Sequence, residues 1–303
     1  DNGASYEPLP PSAFKLADAE ENELSASEGI RVPAGDFSAK IMVKVGQLNS
    51  KDFPDSKKYA IPLSITGASN YSLIPSQRSA ILLLNRSILS SVAKVSGGEG
   101  IRIKPVGMHT KAEWTIQMSA IYSSLTRSNL TTAYLSNGTG GAFYTRISST
   151  AGIQVKNGRD GDDTWTQIPL QAGKWLHITY VHKDKKTTVY VNGRVQKVFE
   201  NSAITFGENS MIVVGNSGYR NDYLREIRLW DKALTESEIN DYLYLPMDPA
   251  TPHLISYLPL SKEMETKDLK APAGTENVTT KARIEYVENV KFPADELVIV
   301  NQE

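Results

Sequence analysis

The chain has no cysteine in its 303 residues. That absence removes disulfides, zinc–thiolate centres, iron–sulfur clusters and cysteine nucleophiles together. It leaves the compartment open, because a secreted bacterial domain need not carry disulfides. An excess of one charge is missing too. Lys and Arg number 33 against 34 Asp and Glu, which leaves no electrostatic footprint for nucleic acid. Long hydrophobic runs are also absent. The longest is Ala80-Ile-Leu-Leu-Leu84, far short of the ~20 residues with which a helix spans a bilayer. Histidine is scarce: His109, His177, His182 and His253. On a strand His177 and His182, five apart, point to opposite faces and cannot share a metal. No phosphate-binding loop, H-E-x-x-H zinc motif or dinucleotide fingerprint occurs. Gly215-Asn-Ser217-Gly218 has the wrong spacing for a nucleophile elbow and reads as a hairpin turn. The first residue is Asp1, with no methionine and no signal-peptide pattern after it, so a processed or truncated N-terminus is the expectation.

What is present describes a folded, strand-rich chain. Hydrophobic residues make up 40%, too many for wholesale disorder, and the length suits about two domains. Residues 1 to about 29, with three prolines and an acidic run from Asp18 to Glu28, read as a tether. From Ile30 to Val45 apolar residues alternate with polar ones at the strand period of two. Tyr59–Thr66 is a second such run, in which Pro62 predicts an edge or a bulge. Ser79–Leu84 is apolar throughout, as a strand buried on both faces would be. Ser96-Gly-Gly-Glu-Gly100 is the strongest turn or linker signal. Beyond it many short strands follow at regular spacing, which predicts a large antiparallel sandwich or barrel. Asn192-Gly193, between Thr188-Val-Tyr-Val191 and Arg194-Val-Gln-Lys-Val198, predicts a type I′ hairpin, since both central positions need positive φ. Thr235-Glu-Ser-Glu238 is a capping box opening one short helix, which Pro246 stops.

These residues carry a resemblance. Gly173-Lys-Trp175-Leu-His177-Ile-Thr-Tyr-Val181, the Asn192-Gly193 hairpin and Leu224-Arg-Glu-Ile-Arg-Leu-Trp230-Asp-Lys-Ala-Leu-Thr235-Glu-Ser-Glu238-Ile together resemble the laminin-G-like, concanavalin-A-like sandwich. Ser256-Tyr-Leu-Pro-Leu260 is similar to its closing strand, with Leu258 where a tryptophan is usual. The N-terminal stretch, through Gly29-Ile-Arg-Val-Pro-Ala-Gly35 and Lys58-Tyr-Ala-Ile-Pro-Leu-Ser-Ile65, is similar to a domain of unknown function in surface lipoproteins of Bacteroidetes. The resemblance implies an all-β protein: a small N-terminal Ig-like β-sandwich over residues 1–90 and a concanavalin-A-like jelly-roll sandwich over residues 91–303. It implies a monomeric, non-catalytic glycan-binding protein of a polysaccharide-utilisation system. Such a protein would sit at the outer-membrane surface, lipid-anchored through a cysteine upstream of Asp1, with polysaccharide as ligand and outer-membrane glycan transporter components as partners. A protein-interaction module and an endo-acting glycosidase with an unidentified carboxylate pair are the alternatives.

The candidate site residues come from chemistry that suits sugars. Aromatic faces pack on pyranose C–H groups while Asp, Asn and Arg hydrogen-bond the hydroxyls. Trp165 follows the polar loop Asn157-Gly-Arg159-Asp160-Gly-Asp162-Asp163 and is the leading candidate, with Arg159 beside it. Tyr144 and Arg146 alternate on one strand and can share a face. Tyr219, Asn221 and Tyr223 sit in a polar stretch read as a loop. Asp160, Asp162 and Asp163 make a candidate calcium set, since calcium takes hard oxygens from clustered acids at glycine-permitted turns; a solvated hairpin turn is the other reading. Glu263-Met-Glu265-Thr-Lys-Asp268 is the nearest string to a glycosidase acid pair, but it lacks alternating apolar partners. His177 is expected to be a packing residue, as are Trp114, Trp175 and Trp230.

Overall fold

A computed structural model describes residues 6–25, 29–98, 100–106, 111–125, 131–134, 143–156, 161–200, 204–207, 210–215 and 219–301, without the side chains of residues 131–134, 144, 162, 219 and 220. The chain divides into two compact units at Arg86 and Ser87. Among the described residues no helix is long and apolar enough to cross a membrane.

The first unit contains β1 (Tyr6–Pro8), β2 (Phe14–Ala17), β3 (Met42–Val45), β4 (Lys58–Ser64) and β5 (Ser79–Leu83). They form a three-stranded sheet, β1-β4-β5, and a two-stranded one, β2-β3. Its core is small: buried Leu9, Tyr59 and Ile61, with Phe14, Val43, Phe53, Leu63 and Leu84 partly buried around them. Tyr59 stands edge-on to Phe53 at 5.6 Å, and the Arg86 guanidinium lies over the Tyr59 ring while pairing with Asp55.

Three expectations are corrected in this unit. The expected tether of residues 1 to about 29 is, over its described residues 6–25, part of the folded unit, because β1 pairs in parallel with Lys58–Ala60 and β2 pairs with β3. The acidic run looked unpartnered because its bases come from across the sheets: Glu21 pairs with Lys44 at 2.7 Å and Glu23 with Lys15 at 2.7 Å. The alternating stretch from Ile30 becomes a strand only at Met42–Val45, where a partner exists; Phe37 is fully exposed. Third, β5 is not buried on both faces. All five of its residues are exposed, because it borders only β4 at the end of the sheet.

Pro62 is tolerated in a central strand for a geometric reason. Leu84 N–H donates to Tyr59 O and Ile65 N–H to Arg78 O, so in the β4–β5 register Pro62 opposite Ile81 is a non-bonded pair. Its missing N–H would point away from β5, beyond the last β1 partner at Ala60.

The second unit contains β6 (Ile88–Gly97), β7 (Ile101–Ile103), β8 (Trp114–Ile121), β9 (Thr131–Tyr134), β10 (Phe143–Ser148), β11 (Gly152–Lys156), β12 (Trp175–Lys183), β13 (Lys186–Val191), β14 (Arg194–Glu200), β15 (Met211–Val214), β16 (Tyr219–Trp230), α1 (Glu236–Asp241), β17 (Leu254–Leu258), β18 (Val278–Thr279) and β19 (Arg283–Phe292). Six strands form one sheet, in the order β11-β10-β9-β15-β7-β18. A larger sheet runs β14-β13-β12-β8-β16-β6-β19, with β17 also on β16. All their pairings are antiparallel.

The core lies between these sheets and follows the period of two. Leu176, Ile178 and Tyr180 of β12 and Trp114, Ile116 and Met118 of β8 face Ile101, Ile103, Phe143, Ile153 and Ile212 of the smaller sheet. Trp114 is the hub: Phe143 and Phe206 meet its ring edge-on at 5.2 and 5.0 Å, and Nε1 donates to Ile204 O at 2.9 Å.

The local signals of the sequence are realised here. Asn192 and Gly193 have φ of 50° and 75°, closing β13 onto β14. Asn192 also accepts from His177 N–H and donates to Trp175 O, so the turn residue staples the start of β12. A Cβ at Gly193 would lie 1.9 Å from Asn240 Oδ1, so a larger residue at the hairpin tip must displace the Asn240 side chain of α1. Both halves of the Thr235–Glu238 capping box are present.

Candidate functional site

The outward face of the six-stranded sheet gathers part of the candidate set. Ile153 and Val155 of β11 and Thr145 and Ile147 of β10 are buried toward the core, so alternate residues face out. Arg146 pairs with Gln154 across β10 and β11, and Gln154 in turn forms an isolated antiparallel bridge with Trp165. Residues directly opposite in such pairs share a face. Arg146, Gln154 and Trp165 therefore form one row, from inside the sheet to its edge.

Trp165 is fixed from several sides. Thr166 N–H donates to Ile153 O at 2.9 Å and Gln167 N–H to Ala151 O at 3.0 Å. Thr166 Oγ1 accepts from Ile153 N–H at 3.0 Å, and Gln154 Nε2 donates to Thr164 Oγ1 at 2.8 Å. Gly152, at φ 77°, admits this strip: a Cβ there would lie 2.2 Å from Thr166 Oγ1. The Trp165 side chain stays half-exposed. Gln154 itself is buried, so the surface of the row is the rigid, partly exposed indole and the Arg146 guanidinium, which is chemistry for stacking and hydrogen-bonding a polar ring.

The remaining candidates separate. Tyr144 pairs with Lys156 and Thr132 in the row next to Arg146, and its side chain lies outside the described atoms. Arg159 and Asp160 lie outside the described residues. Asp162 opens a turn of 3-10 helix with its side chain likewise undescribed, and Asp163 is exposed. Among the described residues no group of three acidic or histidine side chains gathers to hold a metal.

Tyr219, Asn221 and Tyr223 are not in a loop. They belong to β16 of the other sheet. Asn221 has φ 61° where the register with β6 slips, a bulge that a polar Arg-Asn-Asp triplet disguises as a loop. Asp222 is fully buried and accepts from Ser123 N–H and Oγ–H. Tyr223 is partly buried against Ile88, Ile121, Trp175 and Phe292, so it packs rather than facing Trp165.

Asp268 and two of the histidines are occupied structurally. Asp268 is buried and accepts from Ser256 Oγ, Tyr257 N–H, Lys270 N–H and Asn277 Nδ2. Four donors commit it to holding the chain together. His182 stacks on Trp114 at 5.2 Å, with Nδ1 on Thr187 Oγ1 and Nε2 accepting from Ile204 N–H; burial lowers its pKa to about 4. His177 sits on the opposite face, 2.7 Å from Ser119 Oγ. Burial, and then Arg228 and Arg225, hold its pKa well below the ordinary value.

Comparison with known proteins fits this architecture. Residues 96–240 match the family model for the concanavalin A-like lectin/glucanases superfamily. The larger unit thus contains a concanavalin-A-like domain. Residues 1–72 match the model of a separate N-terminal-domain family. A presumed carbohydrate binding protein of Bacteroides ovatus ATCC 8483 aligns with a TM-score of 0.56 and 19% identity, covering 97% of this chain and 83% of its own. A pentraxin of Limulus polyphemus aligns with a TM-score of 0.43 and 13% identity over 66% of this chain and 94% of its own. Domain 4 of AbnA, an arabinanase of Geobacillus stearothermophilus solved with arabinotriose, gives 0.36 and 16% over 60% and 87%. No curated protein matches the chain.

One feature of the concanavalin-A-like domain escaped sequence reasoning. Arg225, Glu226 and Arg228 are all buried on the outer face of the larger sheet. Arg228 pairs with Glu226 at 2.6 Å and donates to Tyr242 O and Leu245 O, while Arg225 donates to Tyr244 O. Tyr257 OH donates to Glu226 at 3.0 Å. The two guanidiniums thus satisfy carbonyls of the chain leaving α1. The available signal was charge inside the apolar strand Leu224-Arg-Glu-Ile-Arg-Leu-Trp230, which marks a buried, paired charge rather than a solvated one.

Proposed function

We propose that this protein binds glycans without transforming them, at the outward face of the six-stranded sheet, and that Trp165 is the platform. The observation that carries the reading is the row Arg146–Gln154–Trp165, in which a partly exposed indole on a fixed backbone shares a face with the partly exposed Arg146 guanidinium, across the buried Gln154 that anchors the strip. The fold likeness to a presumed carbohydrate binding protein over both units supports it. Sugar C–H groups would stack on the indole while the Arg146 guanidinium takes hydroxyls. The same reading places the protein at the outer cell surface, lipid-anchored through a cysteine upstream of Asp1 and beside glycan transporter components. A full-length gene with no cysteine before Asp1 would remove the anchor. Isothermal titration against a panel of polysaccharides tests the binding. Trp165→Ala is expected to weaken the best ligand about tenfold or more, in line with loss of a buried aromatic contact; unchanged affinity removes Trp165 from the site.

A further inference from the structure

We propose that Lys197 is the positioning residue of the Trp165 platform, holding the indole at its working height by gripping the backbone on either side of residue 164. This deepens the glycan-binding reading and rests on it for its ligand readout. Lys197 belongs to β14, the last strand of the larger sheet, whereas the strip carrying Trp165 lies along β11, the last strand of the smaller one. Its ammonium group crosses between these edges, donating to Trp165 O at 2.6 Å and to Asp163 O at 2.9 Å. The Phe199 ring, 5.1 Å from Nζ, supports the reach. Two carbonyls two residues apart, held by one charged donor, fix both the position and the direction of the chain at Trp165. Backbone bonds to Ile153 and Ala151 secure the strip just beyond it. Charge-assisted bonds of this kind are stronger than neutral ones, so the grip is worth more than a chance surface lysine.

The composition of the protein supplies an independent readout. Of its four tryptophans, Trp114, Trp175 and Trp230 are 0, 7 and 5% exposed. Acrylamide quenching of the full chain therefore reports on Trp165, and Trp165→Phe, which should abolish the quenchable component, verifies that. Lys197→Met keeps the unbranched stem and removes the ammonium; Lys197→Arg keeps a charged donor. The expected result has three parts. Lys197→Met raises the quenching constant, and it weakens the Trp165-dependent glycan about tenfold with the melting curve unchanged. Lys197→Arg restores both signals, and in a Trp165→Ala background Lys197→Met has no further effect on affinity. An unchanged or lowered quenching constant overturns the proposal. So does altered quenching with unaltered affinity, because the height of the indole would then not matter to binding. If the wild-type protein binds no glycan, the glycan reading falls by itself, while quenching still decides whether Lys197 positions Trp165.

Discussion

The two units solve the same packing problem with unequal means. In the concanavalin-A-like domain, β8 is buried along its whole length, because the core covers one face and α1 with the chain after it covers the other. In the first unit the buried apolar residues among those described are Leu9, Ala17, Tyr59, Ala60 and Ile61. Of the eighteen exposed large hydrophobic residues among those described, ten lie between Val32 and Leu83, in less than a third of the chain. A sheet of three strands has too few faces to hide what it carries, and the exposed Lys–Glu pairs that tie it together each contribute little. A larger sandwich can afford a strained bulge and buried arginines; the smaller unit depends on three residues. The first unit should therefore open at lower free energy than the second, with its amides exchanging faster under native conditions.

The largest effect that would break this contrast is at Trp114. Trp114→Ala should cost about 3–5 kcal/mol and shift the main denaturant transition, since it empties the centre of the ring cluster and orphans Ile204 O. Ile61→Ala should cost about 2–4 kcal/mol and act differently: the first unit should unfold while the transition of the second stays in place. A single shared transition for both variants would show that the units are one cooperative body.

Next comes pH. His182 has a folded pKa of about 4 against about 6.5 unfolded, so between these values the unfolded state binds the extra proton. Stability is therefore complete above pH 6.5 and falls as pH drops toward 4, by up to about 3 kcal/mol. Thermal melts across that range should show the loss in the second unit, and His182→Gln should reduce it, leaving the part due to the buried His177. A pH-independent second transition would place the imidazole elsewhere.

Smaller still is Gly193→Ala, expected to cost about 1–2 kcal/mol from positive φ and the Asn240 overlap; replacing Asn240 as well should recover part of it. The smallest is Ile81→Lys on the exposed edge strand. It should change stability by less than about 0.5 kcal/mol and reduce aggregation on concentration, measured by light scattering.

What could be read in the chain follows from the range of the interaction involved. The Asn192-Gly193 turn and the Thr235–Glu238 capping box are settled within a few residues, and both are found as expected. The strand series of the larger unit also emerges, because period-two alternation there coincides with real partners. Alternation without a partner misleads, as at Ile30–Ile41. An apolar run does not state which faces are covered, as at Ser79–Leu83. Tyr223 is separated from Trp165 because β16 pairs into the other sheet, and the carbonyls that receive Arg225 and Arg228 arrive from residues 242–245. Trp165 and Arg146 were legible as sugar-like chemistry. Their common row with Gln154 required the β10–β11 register and the isolated Gln154–Trp165 bridge.

The strip from Gly161 to Gln167 has a second consequence. It lies along the outer side of β11, where a sheet would otherwise present unpaired backbone to any passing strand. The segment that displays the indole is thus also the seam that closes the sheet. Most of its attachments are main-chain atoms, with Thr164 and Thr166 as the side-chain exceptions. Side chains along it can be exchanged while the seam stays shut. A surface built in this way tolerates substitution at a few positions, yet it cannot shed the loop without exposing an adhesive border.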